Sequence, residues 1–284
     1  MNSARLHSHA EIDVLALTTV KRLVSGTPAC LSPPRQSAMT FPVYLNVGPW
    51  QIHPHPVFES LGYAAAFRLL LWQVKADSIP FAQRSAVMIG GLVGALVGAK
   101  GLVLLQHLDL LWAHWQQWLL LLLQGKTVVG ALLGGLVGVE VTKRWLGFTQ
   151  STGDAFVYPL LVGTAIGRIG CFLTGLSDRT YGIATTLPWG VDFGDGVARH
   201  PTQLYEIVFL VVLAWVIWLR SRYLYRSGTL FQLYFAAYLG FRFLIDFLKP
   251  DFHPFLGLSA IQFACLLGLL YAAHQQFQRS LPSS

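Results

Sequence analysis

Apolar residues in this chain come in long blocks, not in the alternation of half-buried strands or the narrow stripes of surface helices. Blocks of roughly spanning length lie at about Val57–Val74, Ala86–Gln106, Thr127–Val141, Ala155–Gly175, Leu204–Leu219, Thr229–Phe247 and Leu258–Ala273. The pattern predicts an all-α integral membrane protein with seven transmembrane helices. The third block is short. The Trp-rich stretch before it, Leu108–Gln124 with Trp112, Trp115 and Trp118, reads as an interfacial helix, a buried span being the alternative. Residues 1–40 hold no apolar run long enough to span and are rich in Ser, Pro and His, so they read as a disordered extension. A secretory signal is not expected there, because Lys21 and Arg22 interrupt its apolar run, and Met39 competes with Met1 as the start. The expected organisation is a disordered segment 1–40, a seven-helix membrane domain 41–275 and a cytoplasmic tail 276–284.

Composition agrees with the pattern. At 54% hydrophobic and 12% charged, with a mean hydropathy of +0.53, the chain carries about half the charge of a soluble domain. The 27 glycines suit helices that pack closely in lipid. Cys30, Cys171 and Cys265 are odd in number and scattered, so neither a disulfide framework nor a cysteine-based metal site is expected. The net charge of +7 reads as orienting loop charge next to anionic lipid, not as a nucleic-acid surface. Lys75 and Arg84, Lys143 and Arg144, and Arg220, Arg222 and Arg226 fall in alternate connections, which therefore belong in the cytoplasm. The N-terminus is then outside and the C-terminus inside. The long Leu176–Pro201 segment between spans four and five, with Asp178, Asp192, Asp195 and the turn-forming runs LPWG and DFGDG, faces outward.

Small residues recur at four-residue spacing at Gly90, Gly94 and Gly98, at Gly130, Gly134 and Gly138, and at Gly163 and Gly167, predicting close helix contacts. Ionisable residues inside spans are costly and demand a partner or a task. Under the predicted topology Glu59, Arg168, Glu206, Arg242 and Asp246 converge on the outer leaflet, whereas Glu140 lies deeper and reads as structural or paired with a base. Arg242 and Asp246 share a helix face with Tyr238. Arg168 has no acidic neighbour one turn away, so its fork of donors seeks either an external phosphate or a carboxylate on another helix, Glu59 or Glu206. Two guanidinium groups opening into the outer leaflet suit a phospholipid headgroup. The polar run RHPTQLYE, with His200, Pro201, Gln203, Tyr205 and Glu206, sits at the mouth of span five, and IHPHP, with His53 and His55, at the mouth of span one. Two histidines separated by a proline chelate poorly, and no metal is expected.

GRIGCFLTG (167–175), YG (181–182) followed by LPWGVDF (187–193), RHPTQLYE (199–206) and YLGFRFLIDF (238–247) together resemble the prolipoprotein diacylglyceryl transferase family, from about Phe41 to the last span. The resemblance implies a seven-span inner-membrane enzyme that moves diacylglycerol from phosphatidylglycerol to the lipobox cysteine of preprolipoproteins, with membrane lipids around it and no cofactor, metal or nucleic acid. It implies that Arg168 binds phosphate, that Arg242 is the second essential arginine with Tyr238 beside it, and that these three are the catalytic set. The substrate-binding set it implies, together with the charge pattern, is Arg168, Gly170, Gly182, His200, Gln203, Glu206, Asp246, His53 and His55. The chain departs from the family pattern in places. Leu133 stands where members carry the histidine of a His-Gly-Gly motif, Cys171 and Thr174 where Asn is common, Asp246 where Glu is usual, and His55-Pro56 where an aromatic-glycine step is common. Lys126, Glu59, His53 and His55 are the candidates to replace the missing histidine. The alternatives are a divergent lipid-dependent transferase with another acceptor, and a non-enzymatic lipid-binding or transport protein, for which polar groups spread over both leaflets are expected.

Overall fold

A computed structural model of the chain describes residues 40–74, 80–107, 118–223, 226–250 and 257–280. The expected extension 1–40, except for Thr40, and Trp112 and Trp115 lie outside the described residues. The described part is helical: α1 Pro54–Val74, α2 Phe81–Gln106, a short α3 Trp118–Gln124, α4 Val128–Trp145, α5 Val157–Thr174, α6 Thr202–Ser221, α7 Thr229–Ile245 and α8 Ala260–Ser280. The seven longer helices coincide with the seven apolar blocks. Helix α8 continues to Ser280, so the tail expected from residue 276 begins as helix. Short two-stranded ribbons precede α1 (β1 Leu45–Val47, β2 Trp50–Ile52) and α6 (β3 Val191–Asp192, β4 Ala198–Arg199).

Four segments, Phe81–Gln106, Gly153–Asp178, Thr202–Ser221 and Thr229–Leu248, are long and apolar enough to cross a membrane. Their outward faces are apolar as well: Leu92, Val93 and Leu96 on α2 and Val208, Val211, Val212 and Trp215 on α6 are exposed. A helical bundle whose outward faces are apolar and whose few buried charges are turned inward is a membrane protein.

Glycine determines which helices touch. Helices α2 and α4 pack against each other along facing ridges, since a Cβ on Gly94 would stand 2.2 Å from the Gly134 carbonyl oxygen, and one on Gly98 2.2 Å from that of Gly130. Helices α1 and α5 meet the same way, but through Gly62 and Gly163. A Cβ on Gly62 would lie 2.8 Å from the Gly163 oxygen, whereas one on Gly167 would meet nothing within 4 Å. Both glycines of the α5 ridge line this contact, since the Gly167 amide nitrogen stands 3.6 Å from the Cβ on Gly62, and the ridge's partner, Gly62, belongs to no repeat. The core between α4 and α8 is filled by Val129, Leu132, Leu161, Leu210, Tyr234, Phe235, Leu239 and Cys265.

The ends of the bundle differ in chemistry. Lys143, Arg144 and Arg220 close α4 and α6, and Arg226 and Arg279 join the start of α7 to the end of α8 through the Arg279 carbonyl and Gln232. Glu140 pairs with Lys143 at 3.2 Å, as expected of a structural acid. Asp154 caps α7 by accepting from the amides of Gly228 (2.6 Å) and Phe231 (2.9 Å). At the opposite end the 176–201 segment folds over the bundle. LPWG forms a turn closed by the Gly190 amide on the Leu187 carbonyl, 2.9 Å. In DFGDG, Asp192 accepts from the amides of Gly194 and Gly196, both at positive φ. Phe193 anchors this ribbon, buried between Phe41 and Phe172. Arg199 lies 2.5 Å from Asp195 and holds its carboxyl below the usual carboxylate range.

Gly134→Ala is expected to force α2 and α4 apart and cost about 1–3 kcal/mol. Gly101→Ala, whose Cβ meets nothing within 4 Å, is expected to be neutral or to stabilise by up to about 1 kcal/mol. Thermal unfolding of the two variants in detergent checks the contrast.

Candidate active site

The centre of the polar end is one carboxylate. Glu206, in the first turns of α6, is only 2% exposed. Its Oε2 lies 2.9 Å from Arg168 Nε on α5 and 3.5 Å from Arg242 Nη1 on α7. Its Oε1 accepts from the Tyr238 hydroxyl at 2.8 Å. Arg168 therefore takes the carboxylate partner that the sequence left as one option, and Glu206 proves to be the hub and not a peripheral group. Arg242 also faces Asp246, one turn on, at 3.8 Å. Asp246 in turn accepts from the Ser259 hydroxyl, beside Gln262 at the start of α8. The expected Arg242–Asp246–Tyr238 face is present, turned inward.

This centre has more donors than acceptors. Each guanidinium offers five N–H groups, while Glu206 presents one oxygen to both arginines and gives the other to Tyr238. Arg242 Nε is buried without a hydrogen-bond partner, and so is Asp246 Oδ1, 3.8 Å from Arg242 Nη2.

A second polar cluster adjoins the first. Arg168 Nη1 approaches the buried Cys171 thiol at 3.8 Å. Sγ of Cys171, a ring nitrogen of His55 and a carboxylate oxygen of Asp178 lie within 4.8 Å of one another. His55 Nδ1 is 2.9 Å from Asp178 Oδ1, and its Nε2 is 3.5 Å from Glu59 Oε2. Glu59 Oε1 pairs with Lys126 and accepts from Tyr63 at 2.7 Å. On the far side Asp178 Oδ2 accepts from Thr180 Oγ1 (2.6 Å), which accepts from Gln203 Nε2 (3.0 Å). A polar chain therefore runs from Lys126 to Gln203, touching the arginine centre through Cys171. Three of the four replacement candidates, Lys126, Glu59 and His55, are gathered in it.

The remaining predicted residues sit elsewhere. His53 is outside the cluster: its Nδ1 accepts from the His55 amide at 3.3 Å and its ring meets Tyr44 edge-on, so it finishes the start of α1. Gly170 faces Phe58, whose Cβ would be 2.7 Å from an added Cβ, and serves the α1–α5 approach. Gly182 lets its loop press against His200 and the Leu248 carbonyl. His200 contacts the Tyr205 hydroxyl at 3.1 Å, which accepts from the Trp189 indole at 2.8 Å. Pro201 lies just before α6, and Thr202 donates to the Thr180 carbonyl instead of capping the helix. Leu133 packs on the apolar core and would lie 2.9 Å from a Cβ on Gly268 of α8. A cleft of about 1040 Å³ lined by Phe67, Arg68, Trp72, Phe81 and Arg84 lies at the other end of α1 from His55, away from both clusters.

Sequence reasoning missed Asp178 and Cys171. The sequence marks Asp178 only as a charge on the outward segment and Cys171 only as a departure from the family pattern, and no local spacing links either to His55, which is more than a hundred positions away. The one available signal was that Cys171 lies inside the GRIGCFLTG motif with Arg168 and Asp178 three residues past its end.

Fold and centre define a multi-pass helical membrane protein with a buried basic site at one end. The prolipoprotein diacylglyceryl transferase family model matches residues 42–276. The chain is 33% identical over 237 residues to a phosphatidylglycerol–prolipoprotein diacylglyceryl transferase of Coxiella burnetii, covering 77% of this chain and 85% of that protein. It is 32% identical to proteins of the same name from Methylobacillus flagellatus and Geobacter sulfurreducens, covering 78% of this chain and 87% of each of them. The chain belongs to the prolipoprotein diacylglyceryl transferase family.

Glu206→Gln is expected to leave two buried guanidinium groups without their shared counter-charge and to cost about 3–5 kcal/mol. The unfolding midpoint of the purified variant in detergent measures it.

Proposed function

We propose that the protein transfers the diacylglyceryl group of phosphatidylglycerol to the lipobox cysteine of preprolipoproteins, the first step of bacterial lipoprotein maturation. The observation that carries the reading is the donor surplus around Glu206. Two buried guanidinium groups share one carboxylate oxygen and keep donors for an external anion. Names of relatives at about 32% identity, which specify phosphatidylglycerol and a prolipoprotein, supply the substrate classes.

In this reading the substrate thiolate attacks the glyceryl carbon that bears the phosphate. A carbon–sulfur bond forms, the carbon–oxygen bond to phosphate breaks, and glycerol phosphate leaves with an added negative charge. Arg168 and Arg242 face that charge in a water-poor site, where such stabilisation is strongest. Tyr238 and Glu206 orient the two arginines. The thiol proton goes to Glu59, which His55 and Lys126 flank. Gln203, through Thr180 and Asp178, holds the thiol side in place.

The seven long helices cross the bacterial inner membrane with the N-terminus outside. The end bearing Arg168, Glu206 and Arg242 opens to the outer leaflet, where lipobox segments emerge. The end bearing Lys143, Arg144, Arg220 and Arg226 faces the cytoplasm, in keeping with the charge asymmetry of the loops. A transporter reading is disfavoured by the confinement of the buried charges, Arg168, Glu206, Arg242 and Asp246, to one end among the described residues. A transferase with a different acceptor shares the arginine centre and differs only in its peptide requirement.

The test is an assay of the purified full chain with phosphatidylglycerol vesicles and a lipobox peptide. Lipid transfer to the cysteine is expected, and no transfer to the peptide by folded protein overturns the reading. Arg168→Lys is expected to lower turnover nearly as far as Arg168→Ala, by on the order of a hundredfold or more, because an ammonium lacks the guanidinium fork. Leu133→His is expected to destabilise the core without raising turnover, as measured in the same assay and by thermal unfolding.

A further inference from the structure

We infer that His55, Cys171 and Asp178 form a three-ligand site for a thiophilic divalent metal ion of the zinc class, with a fourth position open to a substrate sulfur. The three residues come from separate elements, the start of α1, the end of α5 and the turn after it, yet their ligand atoms converge within 4.8 Å. Ligands of a tetrahedral zinc ion stand about 3.3–3.8 Å apart, given bonds of about 2.0–2.3 Å. The cluster is therefore within about an ångström of that spacing.

The surroundings orient each ligand from outside. Glu59 lies at His55 Nε2, 3.5 Å away. An Nε2 proton held there leaves a lone pair on Nδ1, the nitrogen that faces Asp178 Oδ1 at 2.9 Å. That nitrogen is buried and makes no aligned hydrogen bond despite the short distance. A metal ion bound here would replace the proton that otherwise joins Nδ1 to Oδ1 as an ion pair. Thr180 occupies the other oxygen of Asp178 at 2.6 Å and leaves Oδ1 for the site. Arg168, 3.8 Å from Cys171 Sγ, favours the thiolate, the form that binds metal. A thiolate, a carboxylate and a neutral imidazole sum to two negative charges, which a divalent ion balances.

His55 is the most accessible ligand, with its side chain 26% exposed, so the open position faces an approachable side. A thiol arriving there forms a metal–sulfur bond and loses its proton to Glu59. This last step rests on the transferase reading, whereas metal binding does not.

The experiment uses the full chain purified in detergent, freed of metal with a chelator and titrated with cobalt(II), whose thiolate complexes absorb in the near ultraviolet. One equivalent is expected to bind with a sulfur-to-cobalt band. Cys171→Ser and Cys171→Asn are expected to abolish the band, Asp178→Asn to weaken binding at least tenfold, and Glu59→Gln tenfold or more. Thermal unfolding of each variant confirms that it is folded. A folded wild-type protein without the band, or a band that survives in Cys171→Ser, overturns the site and leaves a plain His55–Asp178 ion pair. A lipobox peptide is expected to intensify the band and its Cys→Ser version not to. An unchanged band with both peptides overturns the open sulfur position alone. Loss of lipid transfer with the cobalt band intact counts against the transferase reading and not against the site.

Discussion

One buried carboxylate sets the terms for the whole polar end. An arginine inside a lipid-embedded bundle is tolerable only if something offsets its charge, and here Glu206 does so for Arg168 and Arg242 at once. The arrangement ties α5, α6 and α7 together at one level and sums to one excess positive charge before Asp246 is counted. Asp246 is engaged by Ser259 and reaches Arg242 only at 3.8 Å. With Asp246 counted the charges balance, yet Arg242 Nε and Asp246 Oδ1 both stay without a hydrogen-bond partner, so the site is held together without being saturated.

The glycines serve the same end from a distance. Gly62 and Gly163 bring the backbones of α1 and α5 together, and Gly170 extends the close approach to Phe58 and His55. Only because these helices touch does His55, at the start of one, reach Cys171 and Asp178, at the end of the other. What looks like packing detail is therefore a positioning device. The α2–α4 pair works differently, since its ridges are symmetric and repeat over several turns. It builds a stiff wall whose α4 end carries Lys126, the partner of Glu59.

Most of the helical framework was legible in the sequence, because spanning blocks and small-residue spacing are local signals. The convergence of Arg168, Glu206 and Arg242 was legible too, since helix direction fixes depth. Three features were not. The choice of Glu206 over Glu59 for Arg168 depends on helix rotation. The meeting of the α5 ridge with Gly62, a glycine outside any repeat, depends on which helices are neighbours. The His55–Cys171–Asp178 grouping joins a helix start to a turn far along the chain. All are properties of packing between elements, to which period and composition are blind.

The departures from the family pattern now group by place. At position 133 a histidine would point into the core of Leu239, Phe235 and Gly268, where an uncharged ring would lack a partner and a charged one would be costly, so a leucine there is what that packing demands. At position 171 the change runs the other way: a thiol replaces an amide beside a guanidinium, an imidazole and a carboxylate. An asparagine there can only exchange hydrogen bonds, whereas a thiol can lose a proton and bind through sulfur. Ionisable capacity is thus absent from position 133 on α4 and present at the α1–α5 contact, next to the arginine that meets Glu206. The two polar clusters then share Arg168 as their common wall, one edge of its guanidinium against a carboxylate and the other against sulfur.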